Sequence, residues 1–280
     1  MTIKQIVAAV EYRANPDTVV RTGFRLAQRF DALLVLVYAI PTEDGPHYSG
    51  GLTLHAVMDE IAHEQSAEAE KVRRAFEHAA RRHGVRGEWR IARGYPDDEV
   101  ILHVRYADIA IIPQTDPDPP RFRAHLHADH VVLNAGRPVI VVPRDRTRPN
   151  TKNRILVGWN ASREATRAIN DALPILEAAD GVDIVIVNPG NGHEGMQGHG
   201  EEPGADIATQ LARHGIRTEV HLEHTKDEGV GSRLLQLGEK LGAALIVAGA
   251  YGYSPARELV TRGVTRHLLQ NARAPVLFSR

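Results

Sequence analysis

Short unbroken runs of Val, Ile, Leu and Ala alternate along the chain with longer stretches in which apolar residues recur every three or four positions. In the first half the short runs are 5–10, 32–39, 87–93, 108–113 and 138–143. In the second they are 154–159, 183–188, 218–223, 244–249 and 275–279. Runs of this kind, rather than strict alternation, are what a strand covered on both faces needs. Between the first two runs of the second half, Ala165, Ala168, Ile169, Ala172 and Leu176 fall on one helical stripe behind Ser162, a capping residue type. Pro174 is expected to kink or end that helix early. The first helix opens on Asn15-Pro16-Asp17, a cap followed by proline. A long charged amphipathic helix is expected to end near Arg82.

The alternation repeats. Asn134-Ala135-Gly136-Arg137-Pro138-Val139 and Asn271-Ala272-Arg273-Ala274-Pro275-Val276 share the pattern N-A-x-x-P-V just before the last strand of each half. A period this long, far beyond that of solenoid repeats, marks tandem domains. We place them at 1–145 and 152–280, joined by the polar stretch around residues 144–153. Five strands alternating with helices predict an α/β fold in each: two tandem doubly wound five-stranded parallel-sheet domains with right-handed crossovers. Ligands of such sheets sit beyond the carboxyl ends of the strands. That edge carries Asn160-Ala161-Ser162 and the glycines that follow Ile246–Ala248.

Composition removes several classes. With 34 Lys+Arg against 35 Asp+Glu the net charge is −1, which gives no whole-protein signature of nucleic-acid or anionic-membrane binding, though local basic patches are compatible with it. The absence of cysteine excludes disulfides, thiolate metal sites and cysteine nucleophiles. No signal-peptide pattern and no membrane-length apolar run is seen, so a soluble, cytoplasmic protein is expected.

The chemistry gathers in 247–270. A strand empties into Gly249-x-x-Gly252, and Gly263 precedes Val264-Thr265 and a new amphipathic run. Glycines let the backbone approach a phosphate, and the N–H groups of a helix start supply positive potential. With the architecture of both halves, these residues resemble the tandem universal stress proteins, of the adenine nucleotide alpha hydrolase-like fold. In that family the first strand ends in Asp-x-Ser, and a Gly-x2-Gly-x9-Gly-Ser/Thr loop wraps nucleotide phosphates. The resemblance puts Asn160 at the acidic position and Ser162 at the serine. Gly249 and Gly252 match the first two loop glycines, Arg262 the third, and Gly263 the Ser/Thr. Val264 and Thr265 continue the pattern, and Val187 joins the adenine side. It implies an adenine nucleotide, ATP with Mg²⁺, in the second domain only. Arg262 adds a side chain where close approach is wanted, yet a guanidinium pairs well with phosphate.

In the first half Pro113 and Asp116 stand at the places of Gly249 and Gly252. Proline lacks a donor and aspartate repels phosphate, so this half is expected to bind no nucleotide. It would instead imitate, within one chain, the dimer of single-domain relatives. The last strands of the two halves, 138–143 and 275–279, are candidates to pair with each other; a further homodimer is the alternative. His125, His127, Asp129 and His130 lie close in sequence, but only His127 and His130 share a helix face, so no metal site is assigned. Asp180, Asp183 and Glu223 form no pair suited to acid–base work, and the glycine-rich 189–204 reads as a surface loop able to cover a nucleotide. The resemblance implies a non-catalytic stress-response sensor with a protein partner still to be identified. Two alternatives stand beside it: a nucleotide-independent interaction module, and a slow nucleotide hydrolase.

Overall fold

The computed structural model describes residues 2–41, 51–118, 124–144, 153–189, 202–225, 228–251 and 263–280. It divides into two compact units, Ile3–Val131 and Val132–Arg280. In the first unit the strands are β1 (Gln5–Glu11), β2 (Leu33–Pro41), β3 (Gly87–Gly94) and β4 (Ile109–Pro113), in the order β3-β2-β1-β4, all parallel. The helices are α1 (Asp17–Phe30), α2 (Gly51–His83) and α3 (Pro96–Val104). The continuous apolar runs of β1, β2 and β4 are buried, as strands covered on both faces must be. Phe24 of α1 stacks on Phe76 of α2 at 5.6 Å, and Tyr38 of β2 on Trp89 of β3 at 5.4 Å. α1 begins one residue later than its proline pattern predicts. Asn15 Oδ1 accepts the Asp17 N–H at 3.0 Å, so the asparagine closes the turn while Pro16 forms the cap.

The chain leaves this unit through α4 (Ala128–Asn134). The second unit contains β5 (Val139–Val142), β6 (Arg154–Gly158), β7 (Gly181–Val187), β8 (Thr218–Glu223), β9 (Leu245–Gly249) and β10 (Val276–Ser279). Their order is β5-β10-β9-β6-β7-β8. Every pair is parallel except β10 with β5, where Val276, Leu277 and Phe278 face Val141, Ile140 and Val139 in antiparallel register. The two terminal strands of the repeats therefore do pair. This pairing moves the break between compact units to Val131–Val132, ahead of the polar stretch where the repeat boundary lies.

The helices of this unit are α5 (Arg163–Glu177), α6 (Ala205–Arg213), α7 (Val230–Leu241) and α8 (Val264–Asn271). Pro174 does not end α5 early: the helix runs on to Glu177 with the proline buried inside it. Proline removes one donor, whose lost acceptor is the carbonyl of Asn170, an exposed residue of the same helix. Among the described residues no helix is long and apolar enough to cross a membrane.

On β7, Asp183 is fully buried and held by Arg154 Nε at 2.9 Å and by His221 Nε2 at 2.9 Å. Burial pushes its carboxyl up, but the hydrogen bonds and charges of Arg154 and His221 together outweigh that and hold it below the ordinary carboxylate value. Asp183, Glu219 and His221 are close enough to share a metal ion. The Arg154 guanidinium, however, already supplies the cation on the same carboxylates, reaching Glu219 at 3.3 Å as well.

Candidate functional site

The predicted residues that the structure describes lie at the carboxyl edge of the second unit's sheet. β6 ends at Gly158, and Asn160 Oδ1 turns back to accept the Ser162 N–H at 3.2 Å. Ser162 caps α5 as its residue type predicts, accepting the Ala165 N–H on Oγ at 3.1 Å. Ala161 between them has φ 55°. Asn188, after β7, has φ 55°, and Tyr251, after β9, has φ 54°. Three non-glycine residues thus hold left-handed backbone at the ends of three neighbouring strands, at about 1 kcal/mol each. Strain of this kind clusters where a site is shaped. Val187, half-buried, closes β7, and the Asn188 side chain then clamps Thr225 through its N–H at 2.9 Å and its carbonyl at 3.1 Å.

Gly249 ends β9 against the start of α5. A Cβ on it would lie 2.6 Å from both Ala165 N and Glu164 C. The glycine is therefore required by packing of the backbone beside Ser162, whatever the site binds. Gly252 and Arg262 lie outside the described residues. Gly263 caps α8 at φ −89° and ψ −49°, ordinary helical values rather than a left-handed one, and a Cβ there would meet nothing within 4 Å. Glycine at 263 thus answers no backbone demand and leaves open space over the helix start. Thr265 Oγ1 accepts the Tyr251 N–H at 3.2 Å, which ties β9 to α8 and keeps its own proton for another acceptor. Among the described residues, no side chain accepts the first-turn N–H groups of Val264, Thr265 and Arg266. They stand at the positive end of a helix dipole.

One feature was not legible in the sequence. Glu164 reads as an ordinary acidic residue of a first helical turn, yet it is buried beside Gly249, with its carboxylate 3.1 Å from the exposed Arg163 guanidinium. It opposes an anion placed directly over Gly249 more than one placed farther off, over α8.

The first unit shows the same edge closed. Glu11 lies five positions past Ile6 in β1, as Asn160 lies five past Ile155 in β6, and these two anchor residues hold matching places against β4 and β9. The Glu11 carboxylate accepts the Leu126 N–H at 2.8 Å. Asp97 accepts the His127 N–H at 2.6 Å and its ring Nδ1 at 2.9 Å, and Thr115 Oγ1 accepts the Ala128 N–H at 2.8 Å. The donors leading into α4 are consumed by the protein's own side chains. Among the described residues, these side chains add to Pro113 and Asp116 as features unfavourable to a phosphate at this edge. His125 faces Glu11 at 3.6 Å whereas His127 faces Asp97 at 2.9 Å, so the two histidines point to different partners.

The universal stress protein family model matches residues 2–143 and again 152–280. No curated protein matches the chain in sequence. Among solved structures, a universal stress protein from Archaeoglobus fulgidus superposes with a TM-score of 0.74 at 16% identity, over 100% of this chain and 97% of its own. A protein of unknown function from Pseudomonas aeruginosa superposes at 0.59 and 16% identity, over 99% and 92%. At these identities the likeness is one of fold. A universal stress protein solved with cAMP covers 46% of this chain and 96% of its own, at 17% identity and a TM-score of 0.37; the ligand is a property of that protein.

Proposed function

The chain belongs to the universal stress protein family, and on that premise we propose that it is a non-catalytic, cytoplasmic stress-response regulator that takes an adenine nucleotide at one site. The observation that carries this reading is the contrast between its two helix starts. The donors before α4 are satisfied by Glu11, Asp97 and Thr115. Among the described residues, no side chain accepts the first-turn N–H groups of α8, whose cap is a glycine.

In this reading the phosphates of ATP, with Mg²⁺, lie over Gly263, Val264 and Thr265. The Thr265 hydroxyl donates to them, and Arg262 with Gly252 completes the loop. Asn160 and Val187 face the nucleoside, with the Asn160 carboxamide offering a hydrogen bond where an acidic family member would offer a carboxylate. Ser162 serves the site through α5, whose cap it forms. Hydrolysis would need a positioned acid or base. The buried carboxylate at this edge, Glu164, is turned to Arg163, which supports a binding role rather than turnover. Pairing of β5 with β10 supports reading the tandem chain as its own dimer, with nucleotide occupancy read out by a protein partner.

A second reading, a nucleotide-independent interaction module, is favoured by Gly249, whose identity packing alone explains. Calorimetric titration of Mg·ATP separates the two, run on the wild type beside Gly263→Val, Thr265→Ala and Arg262→Gly. We expect one site per chain, lost in Gly263→Val, whose Cβ meets no described atom within 4 Å. No binding heat in the wild type and in Arg262→Gly would sink the nucleotide reading and leave the interaction module.

A further inference from the structure

The outer face of α1 carries Arg21, Arg25 and Arg29, all exposed and each four residues from the last. At 1.5 Å per residue they stand about 6 Å apart on one stripe about 12 Å long. Among the described residues none of the three side chains makes a hydrogen bond or ion pair. On neighbouring α2, by contrast, Arg73 and Arg74 are held by Glu70 and Glu77. A chain with 35 acidic residues does not lack partners, yet among the described residues none pairs with these three arginines. Like charges four apart on a helix repel, so the stripe opposes the helix that bears it. Crowding by protein atoms, and then the Arg21 charge, lower the Arg25 pKa even though the residue as a whole is exposed.

The positive field continues past the helix end. Gln28 Nε2 donates to the His83 carbonyl at 2.8 Å and Arg86 donates to the Asp31 carbonyl at 3.1 Å. Those contacts bring the last turn of α2, Arg81-Arg82-His83, and Arg86 beside the end of α1. The acidic groups facing the stripe are Asp17, one turn before Arg21, and Asp31 at the C-cap. Neither makes an ion pair among the described residues. This end of the helices lies at the amino ends of the strands, on the side of its unit away from the carboxyl edge.

We propose that the outer face of α1 docks a short acidic segment of a partner protein, with carboxylates spaced one helical turn apart. The geometry selects this occupant. Three guanidiniums in line match successive carboxylates on a helix, whereas a free phosphate wants donors that converge on a point. A nucleic acid would gain about two phosphate contacts on so short a stripe, and a chain of net charge −1 offers it no long-range attraction.

The test is fluorescence anisotropy of a labelled helical peptide bearing Glu at every fourth position. It is read against the same peptide with Gln, a duplex DNA of matching length, and inorganic phosphate as competitor. The Glu peptide alone should bind, more weakly as salt rises, and R21Q/R25Q/R29Q should weaken it at least about tenfold. On the wild type, the bound peptide should protect Arg21, Arg25 and Arg29 from phenylglyoxal, a readout independent of any variant's folding. Three results would overturn the proposal: no peptide binding at low ionic strength, an unchanged affinity in the triple variant, or modification of the three arginines undiminished by peptide. Duplex DNA bound more tightly than the peptide at physiological salt would overturn the choice of partner.

Discussion

Gly249→Ala tests whether the first glycine of the loop belongs to the fold or to the ligand. The added methyl would sit 2.6 Å from Ala165 N and Glu164 C and 2.9 Å from Glu164 Cβ. Ordinary carbon contacts are about 3.5–4.0 Å, so about 1 Å of movement is needed. The two nearest atoms are backbone in the first turn of α5, and no side-chain rotation relieves them. Overpacking of this kind costs about 1–3 kcal/mol, which for a unit of this size lowers the melting temperature by about 2–10 °C. Trp89 and Trp159 are the two tryptophans of the chain. In a Trp89→Phe background Trp159, next to Asn160, therefore reports on the second unit alone. Thermal unfolding followed by its fluorescence, with circular dichroism beside it, gives the shift without any ligand. A variant that melts within about 1 °C of its parent while losing Mg·ATP affinity would refute the packing argument and return Gly249 to the phosphate.

Three further expectations complement it. Gly263→Ala should leave stability within about 0.5 kcal/mol of wild type, because its Cβ meets nothing and its φ is ordinary; urea unfolding checks this. Glu11→Ala should cost the first unit about 1–2 kcal/mol by orphaning the Leu126 N–H, read as a lower denaturation midpoint from Trp89; an unchanged midpoint would mean the carboxylate does not hold that segment. Asp183→Asn should cost about 3 kcal/mol near neutral pH by leaving Arg154 without its buried partner. Because the Asp183 carboxyl lies below its ordinary value in the fold, its contribution is complete above the ordinary carboxylate range. It is lost as pH falls through the lower folded value, so the variant should show a flatter acid limb than wild type in stability against pH.

The elements legible in the sequence were those fixed by local pattern. All ten strands fall within two residues of their runs, most sharply where burial on both faces leaves few polar residues to blur the signal, as in β1, β2 and β4. Ser162 was equally readable, since a cap and its N–H partner lie three residues apart. What escaped was set by contacts between distant segments. Leu126 and Glu11 are 115 residues apart, so closure of the first edge by carboxylates has no trace in the pattern around either. Gly249 was visible as a glycine but not as a packing requirement, because the atoms that demand it belong to another helix. Pro174 did not stop α5, which continues to Glu177, because a proline near the last turn removes a single hydrogen bond.

The antiparallel bond between β5 and β10 bears on how this gene can be cut. Sequence similarity alone would excise the second repeat at residue 152. That fragment would lack β5, and the Val276–Phe278 backbone of β10 would become a short apolar edge open to any other strand. An expressed fragment beginning there is a candidate for strand exchange with its neighbours, whereas one beginning at Val132 carries its own cover. Two like pieces have thereby become unequal: the later piece covers its last strand with the last strand of the earlier one and is no longer separable at the seam where the copies meet.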